Sequence, residues 1–576
     1  MAEKCEAVVI GSGFGGAINA CRLSRKWPGK VIVLERGKRY GLGEFPRIPH
    51  ELARNFWVLS NDGARRPRHV RRAAKRHGSD LHGMFDVRNY QNMDVVICAG
   101  LGGGSLIYAN VFLLPPDEIF DPRWPDSCKK QNLLPYYKVA KEVLCARPVP
   151  LGPDPGRKLL KTEVFQKVAG RLGRDSQLVD INVFFGRDPQ QPPLDLGVQA
   201  HNRYGALQTS CTYCGECIVG CNYHAKNTLD LNYLYVAEHE HHADVRTECL
   251  VVDIAPINES GQPSAAADGS NGYVVEYVNV GNGARHNILT HRVILSAGSL
   301  GSTELLLRCR RRSLVGISER LGKSFSGNGD FLSFVLGGLP SDPNRGPTIT
   351  QRIDYNLFSD FHREHAFLIE DASYPAFLAW FIEGVKPRWM WFSAVRRTLQ
   401  SLWANVTSGK SVGRVGYALA DLLSSDVSYR SAVLLCMGVD KSNGTMKVNE
   451  AGEFEITWPY GDSMELYKGI LSAGKRFKEE KEAKHFIPLP TWTWPFRNNV
   501  TVHPLGGCVL ADDEVGGVTN SRLDKFGEVF GYRGLYVADG AIVPSAVGSN
   551  PVATICALSE MVAEGITQIS PDASLV

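Results

Sequence analysis

The chain is 576 residues long, more than one ordinary domain needs, so two large lobes are expected. Its composition of 44% hydrophobic and 22% charged residues excludes a disordered protein, and its net charge of +4 gives no reason to expect a nucleic-acid partner. No apolar run reaches the roughly 18 residues of a membrane-spanning helix, and no signal peptide opens the chain. We therefore expect a cytoplasmic protein whose 14 cysteines are thiols or metal ligands, not disulfides.

The first motif joins a strand, a glycine-rich turn and a helix. The apolar run at residues 7–10 predicts a buried parallel strand, and residues 17–25 predict a helix. Between them the chain reads G-x-G-x-x-G, and a second strand at residues 31–34 ends in Glu35, whose carboxylate would accept hydrogen bonds from a ribose diol. The pattern predicts a dinucleotide site for either FAD or NAD. Its turn residues are Gly11, Gly13, Phe14, Gly15 and Gly16.

A strongly basic run follows at residues 65–76, where seven of the twelve residues are arginine or lysine. Such a run predicts a solvated loop. The alternatives are contact with cofactor phosphates and contact with an anionic membrane surface. A peripheral position at the inner membrane therefore stays open beside the expected cytoplasmic location.

Residues 94–99 predict another buried strand, and four glycines occupy the five positions from 100 to 104. So many glycines do not suit a helix or strand interior, but they suit a backbone pressed flat against a planar ligand. This loop resembles the one that lies along the isoalloxazine ring in the glucose–methanol–choline (GMC) oxidoreductases, and the resemblance implies FAD as the dinucleotide. The loop residues that it places at the cofactor are Gly102, Gly103, Gly104, Ser105 and Asn110.

Residues 211–221 space four cysteines as C-x₂-C-x₂-C-x₃-C, as ferredoxins do: Cys211, Cys214, Cys217 and Cys221. In two-cluster ferredoxins a proline follows the fourth cysteine, which serves the other cluster, whereas Asn222 follows here. The loop could supply three ligands to a 3Fe–4S cluster or four to a 4Fe–4S cluster. Zinc, and thiols or disulfides without metal, are the alternatives. An iron–sulphur cluster would give the flavin an outward electron path and favour a dehydrogenase over an oxidase.

Further segments resemble the GMC family, closest to the branch of bacterial flavin cholesterol oxidases. Residues 245–254 resemble a strand near the adenine, and residues 293–302 resemble the second family signature. In the C-terminal segments, at residues 534–540 and 548–551, the resemblance implies FAD contacts and a helix whose N-terminus points at the flavin. The residues implied at the cofactor are Val251, Ala297, Gly298, Asp539, Gly540, Asn550 and Pro551.

The resemblance implies an α/β fold with two lobes. One is a Rossmann-like FAD-binding lobe, and the other is a substrate-binding lobe of β-sheet plus helices. The FAD-binding domain is predicted to be discontinuous, at residues 1–115, 205–310 and 495–576. The substrate-binding domain is predicted at residues 116–204 and 311–494.

The predicted catalytic pair is His503 and Asn550. Alcohol oxidation needs a group that takes the hydroxyl proton while hydride leaves the same carbon for flavin N5, and a histidine suits this role because its pKa lies near working pH. In the family the histidine that matches His503 faces the flavin, and its partner position holds Asn550 here. An amide cannot be the base, but it can hold the hydroxyl in line. A buried structural histidine and a helix N-cap are the alternative roles.

Residues 367–403 bear on the substrate. Cholesterol oxidases carry a carboxylate that shifts a double bond after oxidation; the resemblance aligns Ala379 with it, and Glu370 is the nearest acid, so a built-in isomerase step is not expected. Eight aromatic residues lie between positions 374 and 403. They predict a helical core, an apolar substrate pocket or a lid that leans on a membrane.

These features predict an FAD-dependent alcohol dehydrogenase or oxidase. Hydride would pass from an apolar, sterol-like or other secondary alcohol to flavin N5, which gives a ketone or aldehyde. The electron acceptor stays open between a protein carrier, a quinone and oxygen. The alternative function is a sugar or polyol dehydrogenase of the same superfamily that passes electrons to a cytochrome.

Overall fold

A computed structural model of the chain describes residues 3–59, 63–78, 80–152, 154, 156–188, 191–379, 426–492 and 498–575. The predicted α/β fold class is confirmed, because helices pack with a largely parallel sheet and a separate antiparallel sheet. Within the described ranges, no helix is long and apolar enough to cross a membrane. The helices are Phe14–Lys26, Pro49–Arg54, Arg68–His77, Lys130–Val143, Leu160–Arg171, Tyr233–His239, Gly298–Arg310, Asp426–Tyr429, Met464–Glu480 and Val552–Thr567.

The first sheet has seven strands and is built from three separated parts of the chain. Its parallel strands are Asp244–Arg246, Val31–Leu34, Glu3–Ile10, Arg285–Leu295 and Leu535–Val537, and its antiparallel strands are Tyr273–Asn279 and Cys249–Pro256. Residues 7–10, which were predicted to form the first strand, are the C-terminal half of Glu3–Ile10 and are almost fully buried. On one face, the helices Phe14–Lys26 and Val552–Thr567 are joined by a buried ion pair between Arg22 and Glu560, 2.8 Å apart.

The second sheet is antiparallel and has six strands. In spatial order they are His485–Pro488, Phe331–Leu336, Ala432–Gly438, Phe367–Ala372, Ile349–Tyr355 and Ser176–Leu178. The helices Leu160–Arg171 and Met464–Glu480 pack against this sheet. The two sheets draw on different parts of the chain, but the predicted domain boundaries stay a prediction.

Shorter strands form several small sheets of two or three strands. They are Trp57–Val58, Leu81–His82, Phe85–Tyr90, Met93–Cys98, Val111–Phe112, Arg147–Pro148, Asp180–Ile181, Gln199–His201, Leu207–Thr209, Lys323–Ser326, Thr445–Val448, Phe454–Thr457, Asn499–Thr501, Leu505–Gly507, Leu510–Ala511 and Thr519–Asn520. Of these, Asn499–Thr501 pairs with Met93–Cys98 and leads directly to His503. This pairing fixes where the predicted catalytic histidine leaves the sheet.

Two predicted segments differ from the structure. From Arg68 onward the basic run forms the helix Arg68–His77 instead of a loop, because Val70, Ala73 and Ala74 share one buried face at helical spacing while the arginines and the lysine of this helix stay exposed. The predicted strand at residues 245–254 is divided into two strands, since Glu248 takes a left-handed φ of 59° and turns the chain between them.

Candidate active site

A cavity of about 990 Å³ opens at the carboxyl ends of the parallel strands. Open α/β sheets bind ligands at this edge, where the loops after neighbouring strands meet. The cavity reaches from these loops to the antiparallel sheet. The predicted site residues that line it are Gly11, Gly13, Phe14, Gly15, Glu35, Gly103, Gly104, Val251, Ala297, Gly298, His503, Asp539, Gly540 and Pro551.

The cofactor wall, as we call the glycines 11, 13, 15, 103 and 104, is made of backbone. A Cβ atom at Gly15 would lie 1.4 Å from the carbonyl oxygen of Ala538, so only glycine fits there. Gly103 has a φ of +53°, and a Cβ on it would lie 2.6 Å from the Cα of Gly13. The two predicted glycine loops therefore touch each other. A Cβ at Gly13 or Gly104 would meet no protein atom within 4 Å, which leaves room for a flat ligand.

Glu35 lies at the end of its strand, as predicted, and its carboxylate organises the first glycine turn. Its Oε2 accepts hydrogen bonds from the amide and the hydroxyl of Ser12, at 3.1 and 2.6 Å. Its Oε1 accepts from the amide of Gly37 at 2.8 Å. A carboxylate has further acceptor capacity, so the predicted contact with a ribose stays open.

Asp539 joins the loops at the other end of the sheet. Its carboxylate accepts hydrogen bonds from the Gly298 amide at 2.9 Å, the Ser302 hydroxyl at 2.5 Å and the Ala541 amide at 2.7 Å. Burial raises the pKa of Asp539 to about 6. These bonds hold the second signature and the C-terminal segment together at the cavity.

Five predicted site residues are not on the cavity wall: Gly16, Gly102, Ser105, Asn110 and Asn550. A Cβ at Gly16 would lie 2.0 Å from the carbonyl oxygen of Gly11, so this glycine closes the turn. The Ser105 hydroxyl donates to the carbonyl of Gly102 at 2.7 Å and shapes the second loop. Asn110 is fully buried with a φ of 72°, and neither polar atom of its side chain has a protein partner.

His503 forms a pair with Asp330. Its Nδ1 lies 2.8 Å from Oδ1 of Asp330, and a carboxylate only accepts, so Nδ1 carries the donated proton. The other carboxylate oxygen accepts from the Thr501 hydroxyl and the Val502 amide, both at 2.9 Å. With its proton on Nδ1, a neutral imidazole ring has its lone pair on Nε2, where it could accept a proton from a ligand in the cavity.

Asp330 is a site residue that the sequence interpretation missed. It ends the turn Gly327-Asn328-Gly329-Asp330, in which Asn328 and Gly329 have φ values of 55° and 62°. A glycine- and asparagine-rich turn directly before an apolar strand was the available signal. Its distance of 173 positions from His503 hid the pairing, because only the fold brings the two together.

Asn550 and Glu370 meet behind the cavity. The Asn550 amide donates to Oε2 of Glu370 at 3.3 Å, and Oδ1 of Asn550 and Oε1 of Glu370 are buried without a protein partner. Burial raises the pKa of Glu370 to about 8, so it is mainly a neutral acid at pH 7. The structure thus brings Asn550 to the acid that the sequence interpretation singled out.

The far side of the cavity is apolar. We call it the substrate wall, because we propose that the substrate packs against it. It consists of side chains from the antiparallel sheet and from the segment that follows Phe367–Ala372: Leu332, Phe334, Tyr374, Leu378, Val433 and Leu435. Tyr374 and Leu378 belong to the predicted aromatic segment. The aromatic residues of that segment from position 380 onward lie outside the described residues.

Comparison with known proteins identifies the family. Models of the N- and C-terminal parts of GMC oxidoreductases match residues 6–327 and 465–559. A cholesterol oxidase of Acinetobacter baumannii is 30% identical over 96% of this chain and 92% of that protein. The chain belongs to the GMC oxidoreductase family. A cholesterol oxidase of Mycobacterium tuberculosis is 28% identical, over 98% of this chain and 91% of that protein.

A solved fungal aryl-alcohol oxidase has a TM-score of 0.59 at 13% identity and covers 99% of both chains, a likeness of fold alone. Family membership makes this GMC oxidoreductase an FAD-dependent enzyme that acts on CH–OH groups. The backbone-lined cavity fits FAD, since the helix N-terminus at Phe14 and the open space at Gly13 suit a pyrophosphate.

One small cavity of this GMC oxidoreductase is lined by Gly346, by Tyr223 and by the four cysteines with ferredoxin spacing, at positions 211, 214, 217 and 221. All four are free, and we name this the cysteine cavity. Two backbone amides donate to its sulfurs, from Tyr213 to Cys211 at 3.4 Å and from Ala225 to Cys221 at 3.2 Å. Burial raises the pKa of the Cys214 thiol to about 12.

The cysteine cavity adjoins the FAD cavity of this GMC oxidoreductase. Cys217 lines the cysteine cavity, and its neighbour Ile218 lines the FAD cavity. Among the described residues, no group of three or more His, Cys, Asp or Glu side chains is arranged to hold a single metal ion.

Proposed function

We propose that the protein oxidises an apolar secondary alcohol of sterol-like size, and that His503 takes the hydroxyl proton. The observation that carries the proposal is the His503–Asp330 pair beside the substrate wall. FAD, when bound, supplies the hydride acceptor. Two relatives named cholesterol oxidase over nearly the full length support the same substrate class.

The His503–Asp330 pair supports proton removal at a defined atom. Because Nδ1 donates to Asp330, Nε2 is the nitrogen that accepts the substrate proton. The negative carboxylate then stabilises the imidazolium that forms. Asp330 is itself held by Thr501 and Val502, which keeps the ring orientation fixed.

Asn550 is proposed to orient the substrate hydroxyl. One amide hydrogen is directed to Glu370, which leaves the other amide hydrogen and Oδ1 for a further partner. This role requires Asn550 to reach into the FAD cavity when substrate binds. Its place directly before Pro551, which lines that cavity, makes the reach short.

The substrate wall favours an apolar alcohol over the alternative, a sugar or polyol. A polyol would bury several hydroxyls against Leu332, Val433 and Leu435 without hydrogen-bond partners, at a cost of about 1–3 kcal/mol each. A hydrophobic alcohol instead gains from the same contacts.

Anaerobic stopped-flow reduction of the flavin tests this assignment. A 3-hydroxysteroid should bleach the flavin faster than glucose does, and His503→Ala should slow the steroid reaction by about 10²-fold or more while FAD content stays normal. Faster reduction by sugars would move the function to the polyol alternative. An unchanged rate of flavin reduction in His503→Ala would show that His503 has only a structural role.

We further propose that the cysteine cavity binds an iron–sulphur cluster, of the 3Fe–4S or 4Fe–4S type, and passes electrons to a protein carrier or quinone. The ferredoxin spacing, the shared cavity and the amide-to-sulfur hydrogen bonds support this. The position of Ile218 between the two cavities supports a short path from the flavin.

Iron analysis and one variant pair test the cluster. Protein purified without oxygen should contain three or four irons per flavin, as the two cluster types require. Cys214→Ser should abolish transfer to a one-electron acceptor while substrate still bleaches the flavin, and Cys145→Ser, outside the cavity, should behave like the parent. Iron-free protein would make direct reaction with oxygen the leading model.

We also propose that the helix Arg68–His77 contacts an anionic membrane surface. An apolar alcohol substrate would be dissolved in such a membrane. The helix Arg68–His77 carries exposed arginines and a lysine along its outer face. Co-sedimentation with vesicles that contain phosphatidylserine tests this. Arg71→Glu with Arg72→Glu should lose the binding, and equal binding to neutral vesicles would contradict it.

A further inference from the structure

Lys226 lies between the two cavities. It is 1% exposed, and its Nζ donates to three backbone carbonyls: Leu106 at 3.0 Å, Tyr108 at 2.8 Å and Cys217 at 2.9 Å. An ammonium group has three N–H donors, so all of them are used. Such a fully bonded buried lysine fixes the loops around it.

The three carbonyls belong to two different loops. Leu106 and Tyr108 end the glycine-rich loop on the FAD cavity, whereas Cys217 belongs to the cysteine cavity. The ammonium also lies 4.7 Å from the centre of the Tyr108 ring, a favourable cation–π distance. One side chain therefore ties the flavin-facing loop to the cysteine loop.

Among the described residues, Lys226 has no carboxylate partner. Its three hydrogens are donated to carbonyls, which carry no net charge. Buried Lys161 shows the usual arrangement, with its Nζ 2.8 Å from Asp371. Burying a cation without an anion costs free energy. Cysteine side chains that bind iron do so as negative thiolates, and Cys217 of the cysteine cavity is in direct contact with the ammonium through its carbonyl.

We propose that Lys226 is a positioning residue with two roles: it joins the flavin loop to the cysteine loop, and it is the counter-charge of an anionic, cysteine-ligated iron–sulphur cluster. This rests on the proposed cluster. A nearby positive charge favours the reduced form of a cluster over the oxidised form, since reduction adds negative charge. Lys226 would therefore raise the reduction potential of the cluster and help it accept electrons.

The chain offers a matched control in Lys481. This lysine is also fully buried, and its Nζ also donates to three carbonyls: Gly337 at 2.9 Å, Leu339 at 2.6 Å and Arg430 at 2.7 Å. It follows the helix Met464–Glu480, which packs against the antiparallel sheet, and it lines neither cavity. Removing its charge tests what the loss of a buried lysine does by itself.

The experiment is a redox titration of the holoenzyme followed by electron paramagnetic resonance, with iron and FAD content measured in parallel. Lys226→Met and Lys226→Gln should both lower the cluster potential by at least about 59 mV, a tenfold shift in a one-electron equilibrium. Lys481→Met should leave the potential unchanged. Gln keeps two N–H donors, so this variant serves if Lys226→Met does not fold.

The outcomes separate this inference from the proposed cluster. Iron-free parent protein would overturn both. An iron-containing parent whose potential survives Lys226→Gln would overturn the role of Lys226 alone. Loss of iron with retained FAD in Lys226→Met, while Lys481→Met keeps its iron, would support the link between the loops.

Discussion

The two sides of the FAD cavity are built from different material. The cofactor wall is backbone: at Gly15 and Gly103 the neighbouring chain comes so close that no Cβ fits. The substrate wall is side chain, from strands such as Phe331–Leu336 and Ala432–Gly438 that would keep their pairing with other apolar residues. A glycine whose missing Cβ would collide with neighbouring backbone tolerates no substitution, whereas an apolar surface tolerates swaps that conserve volume. Substitutions are therefore expected to cost stability at the close-packed glycines and to alter substrate preference at the substrate wall.

The largest effect is expected at the cofactor wall. Gly15→Ala should destabilise the protein by about 3 kcal/mol or more, because the new Cβ collides with the Ala538 carbonyl and backbone must move. Gly104→Ala should leave the unfolding free energy of the FAD-free protein unchanged but weaken FAD binding, since its Cβ enters only cavity space. Thermal melts with and without FAD measure both.

Gly170→Ala is the control for these glycines. Gly170 lies in the helix Leu160–Arg171, where a Cβ meets nothing within 4 Å, so the change should be neutral or stabilising. Equal losses in Gly15→Ala and Gly170→Ala would break the comparison between the two walls.

The next effect concerns Asp330. It directly precedes Phe331–Leu336, a strand of the substrate wall, and it is hydrogen-bonded to His503. Asp330→Asn should lower turnover by about 10²-fold, since an amide NH₂ favours the imidazole tautomer with its lone pair on the wrong nitrogen. FAD content should stay normal. Single-turnover flavin reduction across a pH series measures it, and a rate within twofold of the parent would refute the orienting role.

A pH effect is expected from Glu370 behind the substrate wall. Below the ordinary pKa of 4.5 both folded and unfolded chains are protonated; between 4.5 and the folded pKa of about 8 only the unfolded chain ionises. The contribution of Glu370 to the unfolding free energy is therefore fully present below pH 4.5. The unfolding free energy then falls as the pH rises towards about 8, by up to about 1.4 kcal/mol per pH unit.

Glu370→Gln should remove this slope. The unfolding free energy of the variant should therefore rise relative to that of the parent protein from pH 5 to pH 8. Urea unfolding at several pH values measures the difference. Glu319→Gln is the control, because the Glu319 side chain is 97% exposed. A constant difference between parent and Glu370→Gln across this range would show that burial does not hold the acid neutral.

The smallest effect is expected at the substrate wall itself. Phe334→Leu keeps an apolar surface and should change kcat/KM for a hydrophobic alcohol by no more than a few-fold. Phe334→Asn buries an unpaired amide and should lower it about tenfold, chiefly through KM. Steady-state kinetics with a steroid substrate separates the two variants, and equal effects would mean that the wall does not select for apolarity.

The sequence determined much of the cofactor side. The strands Glu3–Ile10 and Val31–Leu34 and the helix Phe14–Lys26 follow from local periodicity, and the intervening glycines follow from a close backbone approach that allows few alternatives. The missed helix Arg68–His77 also depends on local residues, because an apolar stripe of three side chains lies within a run whose charge predicted a solvated loop. These features depend on residues near each other in the chain.

The tertiary structure alone decided which distant groups meet. Asp330 and His503 are 173 positions apart, Glu370 and Asn550 are 180, and Lys226 reaches Leu106 across 120. The sequence supplied His503, Asn550 and the cysteine spacing as candidates, but not the carboxylate that orients the histidine or the ammonium between the cavities. Hydrogen bonds and buried charge depend on distances of a few ångströms, which spacing along the chain does not specify until the two sheets bring their loops together.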